Sequence, residues 1–217
     1  EDGWTSLSCD PKYGGQGMPK TVSAFFDEML SSASLSFKLY SELSIGAYNC
    51  ISHHATDEIK EKYLPKMVEG KWSGTMCLTE PVCGTDLGLL KTKAIEQSDG
   101  TFKLSGQKIF ITSGDQDLTE NIIHLVIARA ADSPAGTKGI SLFLVPKFLV
   151  NEDKTEVVGE VVDEEVGKEV GEVVEDEVVE DEVREVEIEV IKPIKEKKIK
   201  LSYTEKKRWL WNMLNIF

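Results

Sequence analysis

Two stretches of this chain carry residue types that can do more than pack. The first is Met76-Cys77-Leu78-Thr79-Glu80-Pro81-Val82-Cys83-Gly84-Thr85-Asp86-Leu87-Gly88. Here a short apolar run ends in a hydroxyl residue, Pro81 stiffens the exit, and Gly84 leaves backbone amides uncovered beside the Thr85 hydroxyl. A loop of this make-up points several N–H donors at one electron-rich ligand. The second is Lys108-Ile109-Phe110-Ile111-Thr112-Ser113-Gly114. Read as the end of a strand, its alternation puts Phe110 and Thr112 on the same face, one to stack and the other to donate. Physical chemistry alone therefore indicates a loop that holds an anion or a polar heterocycle near an aromatic platform.

The spacing adds a resemblance. Cys77-Leu78-Thr79-Glu80-Pro81, Gly84-Thr85-Asp86 and, about two dozen residues on, Phe110-Ile111-Thr112-Ser113-Gly114 resemble the paired flavin-contacting motifs of the acyl-CoA dehydrogenases. The resemblance runs from about Trp4 to Val150. It implies FAD as cofactor, with Met76, Leu78, Thr79, Phe110, Ile111 and Thr112 along the isoalloxazine and Gly84 and Thr85 at the pyrophosphate. Thr85 is also implied to touch the acyl-CoA. Phe110 takes the place of the family's usual tryptophan, Leu89 fills a place usually given to a small residue, and Val82-Cys83 differs from most members. The longer run Thr112 to Asn121 resembles the long bacterial branch that includes methylthiopropanoyl-CoA dehydrogenases.

By the same resemblance, the chemistry is oxidation of an acyl-CoA thioester to its trans-2-enoyl form. A carboxylate takes the alpha proton, the beta hydride goes to flavin, and an electron-transfer flavoprotein collects the electrons. Glu80 and Asp86 are tempting as the base. Both are set aside, because acids beside Pro and Gly fix turns and the family's base lies in a C-terminal helical domain that this sequence does not show. A chain without that base is expected to be nearly inactive, since general-base catalysis is worth about 10² to 10⁴ in rate. No catalytic residue is assigned. The alternative is a non-catalytic scaffold, or an interaction protein working through its acidic tail.

The elements that must position these motifs read as an α+β chain: a helical N-terminal region, residues 1–72, then an antiparallel β domain, 73–150, then an acidic low-complexity tail, 151–217. Met18–Ser32 and Leu35–Ser52 are helical by period. Val22, Phe25, Phe26, Met29 and Leu30 form the apolar stripe of the first, and Leu39, Leu43 and Ala47 line up in the second. A serine-rich junction separates them. Thr56 and Asp57 open a third helix, which Pro65 is expected to shorten or kink. Strands are expected over Leu89–Glu96, Thr101–Leu104, Gln107–Thr112, Ile122–Ala130 and Gly139–Val145. Asp99-Gly100 is the strongest hairpin signal, and Ser105-Gly106 marks a second turn.

Several other groups invite chemistry and receive none. Tyr13-Gly14-Gly15-Gln16-Gly17 lacks the spacing of a phosphate-binding loop and comes after no strand, so it reads as a loop leading into a helix. The adjacent His53 and His54 diverge by about 100° on a helix and cannot share a metal. His124, inside the apolar run Ile122 to Ile127, reads as a hydrogen-bonded structural residue. Asp115, Asp117 and Glu120 lack calcium-loop spacing. Cys9, Cys50, Cys77 and Cys83 form no metal-binding pattern.

The 217 residues carry a net charge of -13. Residues 151–217 hold 20 acidic and 11 basic side chains, a net -9, which leaves -4 for the first 150. No basic stripe suggests nucleic acid. With no leader at its start and no long apolar run, the chain reads as cytoplasmic, without a membrane span. The family is usually homo-oligomeric. Because the sequence opens on Glu1, it reads as a fragment. In the tail, Val158, Val162, Val166, Val170, Val174 and Val178 drift about 40° per step around a helix, so disorder or marginal structure is expected. The closing run Arg208 to Phe217 is too short to cross a bilayer. The abrupt change of composition marks the tail as a foreign or misread end.

Overall fold

The structure, a computed structural model, describes residues 3–98, 100–150 and the backbone of 157–160. These residues form two compact units that divide between Gly74 and Thr75.

The first unit holds α1 (Lys20–Ala33), α2 (Leu35–His54) and α3 (Asp57–Val68). The serine-rich junction is where α1 ends and α2 begins. Ser34, extended at φ -159°, accepts from the Phe37 N–H at 3.4 Å and caps α2; such caps are worth about 1 kcal/mol. Thr56 caps α3 in the same way through the Ile59 N–H. Helix α3 runs through Pro65 to Val68. Pro65 stands in its last turn, and the burial of Tyr63, Leu64, Met67 and Val68 around it, worth about 1.5–3 kcal/mol for a fully buried large side chain, outweighs the one bond the ring cannot make. Tyr63 also packs against Trp72, ring centroids 6.0 Å apart. The α1 stripe is less buried than its period suggests: Phe26 stacks on Trp4, while Val22, Phe25 and Met29 stay exposed.

Before α1, the amides of Gly14, Gly15, Gln16 and Gly17 donate to the carbonyls of Pro11, Asp10, Ser6 and Cys9. The loop spends its donors on itself. A Cβ on Gly15 would lie 2.2 Å from the Cys9 carbonyl oxygen, so the absence of a side chain there closes the loop.

The strands are β1 (Trp72–Cys77), β2 (Lys93–Glu96), β3 (Phe102–Ser105), β4 (Asn121–Ala130), β5 (Ile140–Pro146), β6 (Phe148–Val150) and β7 (Val157–Glu160). The first five make one sheet in the order β1-β4-β2-β3, with β5 also paired to β4. Strand β4 is its organiser, and its sequence says why: it is long, rich in β-branched residues, and buried at Ile122, Ile123, Leu125, Ile127 and Ala128. On one part of this framework Ala94, Phe102, Leu104, Ala128, Phe143 and Val145 form an apolar cluster. A second, of Cys83, Leu90 and Ile127, receives Met76, Leu78 and Leu87.

The α+β order is present, but the sheet is mixed. Strands β2 and β3 pair antiparallel across 97–101, where Gly100 takes φ +83°; Asp99 lies outside the described residues. Strand β2 meets β4 in parallel, Lys93 with Arg129 and Ala94 with Ala130. The strand expected over Leu89–Glu96 starts only at Lys93, because Leu87–Leu89 forms a single tight helical turn capped by Asp86. Gln107–Thr112 is not a strand. Gly106 lies so close to Thr92 that a Cβ would sit 2.7 Å from the Thr92 Cα, and after this approach the chain leaves the sheet. Strand β7, inside the stretch expected to lack stable structure, pairs antiparallel with β6, as its paired valines favour. The repeating valines from Val162 on and the Arg208–Phe217 run lie outside the described residues. No helix among the described residues is long and apolar enough to cross a membrane.

Candidate functional site

The site grows from the end of β1. Met76 and Leu78, half-buried, lie against the Cys83–Leu90–Ile127 cluster, and the chain then turns back at Glu80-Pro81-Val82-Cys83. Glu80 N donates to Cys83 O at 2.8 Å and Cys83 N returns to Glu80 O at 3.1 Å. Proline second in a four-residue turn is the expected chemistry. The turn brings Gly84 beside Thr79: a Cβ on Gly84 would be 3.6 Å from Thr79 Cγ2. Gly84 and Thr85 are exposed, and among the described residues their backbone N–H groups have no hydrogen-bond partner.

The Glu80 side chain explains why the turn holds. It is buried, and its Oε1 accepts from Lys108 Nζ at 2.8 Å, Thr92 Oγ1 at 2.5 Å and Thr92 N at 3.1 Å, while Oε2 accepts from Lys91 N at 2.7 Å. Burial pushes the carboxyl upward, but Lys108, the Thr92 hydroxyl and the Lys91 amide outweigh it and hold it below the usual range. For Lys108 burial wins, and the ammonium lies below the usual lysine range despite Glu80. The asymmetry reflects partner number: the carboxylate has four donors, the ammonium two acceptors.

The second motif lies against the first. Ile109 N donates to Thr79 O at 2.9 Å, and Lys108 Nζ donates to Leu78 O at 3.2 Å. Phe110 then takes a left-handed backbone, φ 57°, and is 82% exposed. A left-handed residue breaks the pleat, so the same-face relation of Phe110 and Thr112 expected from strand alternation does not apply. Ile111 is buried and accepts from Gly114 N at 3.0 Å, closing a turn in which Ser113 is also left-handed, φ 56°. A non-glycine residue in this region costs energy, and two within four residues mark a segment whose shape is imposed by its surroundings. Thr112 stands exposed at the turn.

Three supporting residues were not visible as such in the sequence. Arg129 gives its guanidinium to the carbonyls of Leu90, Gly88 and Pro134 at 3.0–3.1 Å, fixing the segment after Asp86. Asn121, fully buried, donates to Phe148 O and accepts from Ile122 N and Phe148 N. Thr92 is the centre of the Glu80 contacts. His124 is hydrogen-bonded as expected, its Nδ1 2.7 Å from Thr75 Oγ1. Burial first, then Lys147, lowers its pKa to about 4. Cys77 beside it is an unreactive thiol, pushed up to about 11 by burial. Asp115 pairs with Lys147 at 2.5 Å, and His53 bonds the Asn49 carbonyl. The four cysteines are buried and unpaired.

Two adjoining turns, one with uncommitted amides and one with an exposed aromatic ring, lie on the rim of a mixed sheet and offer hydrogen-bond donors beside a stacking face. The chain belongs to the acyl-CoA dehydrogenase family: the family's N-terminal domain matches residues 1–71 and its middle domain residues 75–169, a match that reaches past Val150. A 3-methylmercaptopropionyl-CoA dehydrogenase of Ruegeria pomeroyi is 50% identical over 150 residues, 69% of this chain and 26% of that protein. The butyryl-CoA dehydrogenase structure from Megasphaera elsdenii superposes with a TM-score of 0.60 at 32% identity, covering 66% of this chain and 37% of that one. A solved structure of an electron transferring flavoprotein of Acidaminococcus fermentans gives 0.60 at 29% identity, covering 69% and 39%. The chain spans about a quarter of the length of the curated relatives it matches.

Proposed function

We propose that residues 75–150 form the flavin-holding part of an FAD-dependent acyl-CoA dehydrogenase that passes its electrons to an electron-transfer flavoprotein. The observation that carries this reading is the Ile109 N–H to Thr79 carbonyl bond, which joins the two motifs into one rim. The residues present fit the group: the exposed Phe110 ring offers a stacking face, Gly84 and Thr85 offer amides to a pyrophosphate, and Met76, Leu78 and Ile111 supply an apolar wall. Bound there, FAD supplies the acceptor for a hydride from the acyl chain. Thr79 and Thr112 donate toward the ring edge, where preorganised donors stabilise added charge without reorganising. Thr85 extends the same role to the acyl-CoA.

Glu80 is the only buried carboxylate among the described residues, and its four donors commit it to the turn and hold its affinity for a proton below the usual carboxylate range. The alpha proton is therefore taken by a carboxylate outside the described residues. The test is direct. The full chain, mixed with FAD and passed through a desalting column, should keep a yellow chromophore with resolved flavin bands and should fail to reduce a dye with butyryl-CoA. A column fraction that stays colourless at saturating FAD removes the flavin reading, and rapid dye reduction removes the assignment of the base.

A further inference from the structure

Lys108 is not among the residues that would touch FAD, yet it is the buried cation of the site. Its side chain is 11% exposed and that of Glu80 2%. Burying an ammonium is costly unless it is paired and hydrogen-bonded, and here the pairing joins three pieces of chain. Lys108 Nζ reaches Leu78 O and Glu80 Oε1. Glu80 is held in turn by Lys91 N and by the amide and hydroxyl of Thr92. Thr92 O accepts from Arg129 N, which fixes that end to β4. One residue beyond Lys108, the Ile109 amide bonds Thr79; two beyond, Phe110 turns left-handed. The lysine thus stands where the chain leaves the sheet and sets how the second turn meets the first.

We propose that Lys108 is a positioning residue of the cofactor rim: with Glu80 as its anchor, its ammonium grips the Leu78 carbonyl and holds the Thr79 turn and the Phe110–Thr112 turn in register. This rests on the flavin reading for its functional half only. The grip itself is a property of the chain and is open to measurement without cofactor.

The experiment uses the full chain in two variants, Lys108→Met and the double variant Lys108→Met/Glu80→Gln. The double variant keeps an unbranched side chain at position 108 and the size of the one at position 80 but leaves no unpaired buried carboxylate, so it guards against a fold lost to an orphaned charge. Amide hydrogen exchange of the cofactor-free protein is read first. The expected result is exchange faster by about tenfold or more at Ile109 and Gly114, with Leu125 and Ile127 in β4 unchanged. FAD affinity, read by fluorescence quenching, should weaken by about tenfold in both variants, including the double variant whose urea midpoint is restored toward that of the parent. A merely structural lysine would let affinity recover along with stability. Unchanged exchange at Ile109 and Gly114 overturns the grip. Parent-like FAD affinity in either folded variant overturns the positioning role. A parent chain that binds no FAD overturns the flavin reading and the functional half of the inference with it, while the exchange result still decides the grip.

Discussion

The Ile109 amide donates to the Thr79 carbonyl at 2.9 Å, across thirty positions of sequence and between two segments that are not strands of the sheet. This bond makes a site from two motifs. It also constrains the next two residues, since Phe110 has to leave the pleat to keep Ile109 bonded and Ile111 buried. The exposed ring is the result of that geometry.

Phe110→Ala should therefore separate affinity from stability. A ring 82% exposed contributes little to folding, and substitutions at such positions change stability by about 0.5 kcal/mol or less. Loss of a stacking partner costs about 0.5–1.5 kcal/mol, so FAD should bind up to about tenfold more weakly with the urea midpoint unchanged. Equal FAD affinity in parent and variant would remove the ring from the site.

How much of this was legible in the sequence depends on range. The Glu80–Cys83 turn, the helix caps at Ser34 and Thr56 and the β2–β3 hairpin are set by residues within five positions of one another, and local turn chemistry reveals them. Gln107–Thr112 shows the opposite case. Its β-branched and aromatic residues imitate a strand, but Ile109 bonds a loop carbonyl and Gly106 must pass against Thr92. The parallel contact of β2 with β4, the Leu90 and Gly88 carbonyls on Arg129 and the anchoring of Glu80 by Lys108 join residues 28 to 41 positions apart. No periodicity encodes such pairs. Glu80 was recognisable as a turn acid, whereas its four donors were not.

His124 makes stability depend on pH. Its pKa is about 4 in the folded chain against an ordinary value of 6.5, so the folded state resists the proton that the unfolded state accepts. The contribution is fully present above about pH 6.5 and is lost as pH falls toward 4. Between about pH 7.5 and pH 5 the single group removes roughly 2 kcal/mol. Urea unfolding at these two pH values should show that difference in the parent and a much smaller one in His124→Asn. The groups facing His124, Thr75, Cys77, Lys147 and Asp115, are retained in both proteins, so an equal pH dependence would assign the effect elsewhere.

Asn121 substitutes for a stretch of strand pairing: one carboxamide serves the Phe148 carbonyl and the Phe148 and Ile122 amides at 2.8–3.0 Å. Asn121→Ala orphans three backbone groups in a fully buried position, at about 1–3 kcal/mol for each group left without a partner. Relaxation recovers part of this, and a loss of about 3 kcal/mol in unfolding free energy is expected. Asn121→Asp should recover little of it, because a carboxylate cannot donate to the Phe148 carbonyl. A loss below about 0.5 kcal/mol in Asn121→Ala would show that the β4 to β6 connection is held by other contacts.

Arg129 offers the complementary test on the opposite flank of the loop. Its planar guanidinium reaches the Leu90, Gly88 and Pro134 carbonyls at once, which a lysine, a point charge on a flexible stem, cannot do. Arg129→Lys keeps the charge and gives up two of the three bonds, each worth about 1 kcal/mol or somewhat more with a charged donor. The expected loss is about 1–3 kcal/mol. Its local sign is faster amide exchange at Leu89 and Leu90, whose bonds to Asp86 and Leu87 close the turn after the Gly84–Thr85 amides. Since the strand amides of β4 do not depend on this side chain, exchange at Leu125 and Ile127 should stay as in the parent. Acceleration spread evenly over β4 and the loop would instead make Arg129 a general contributor to folding, with no particular hold on the segment after Asp86.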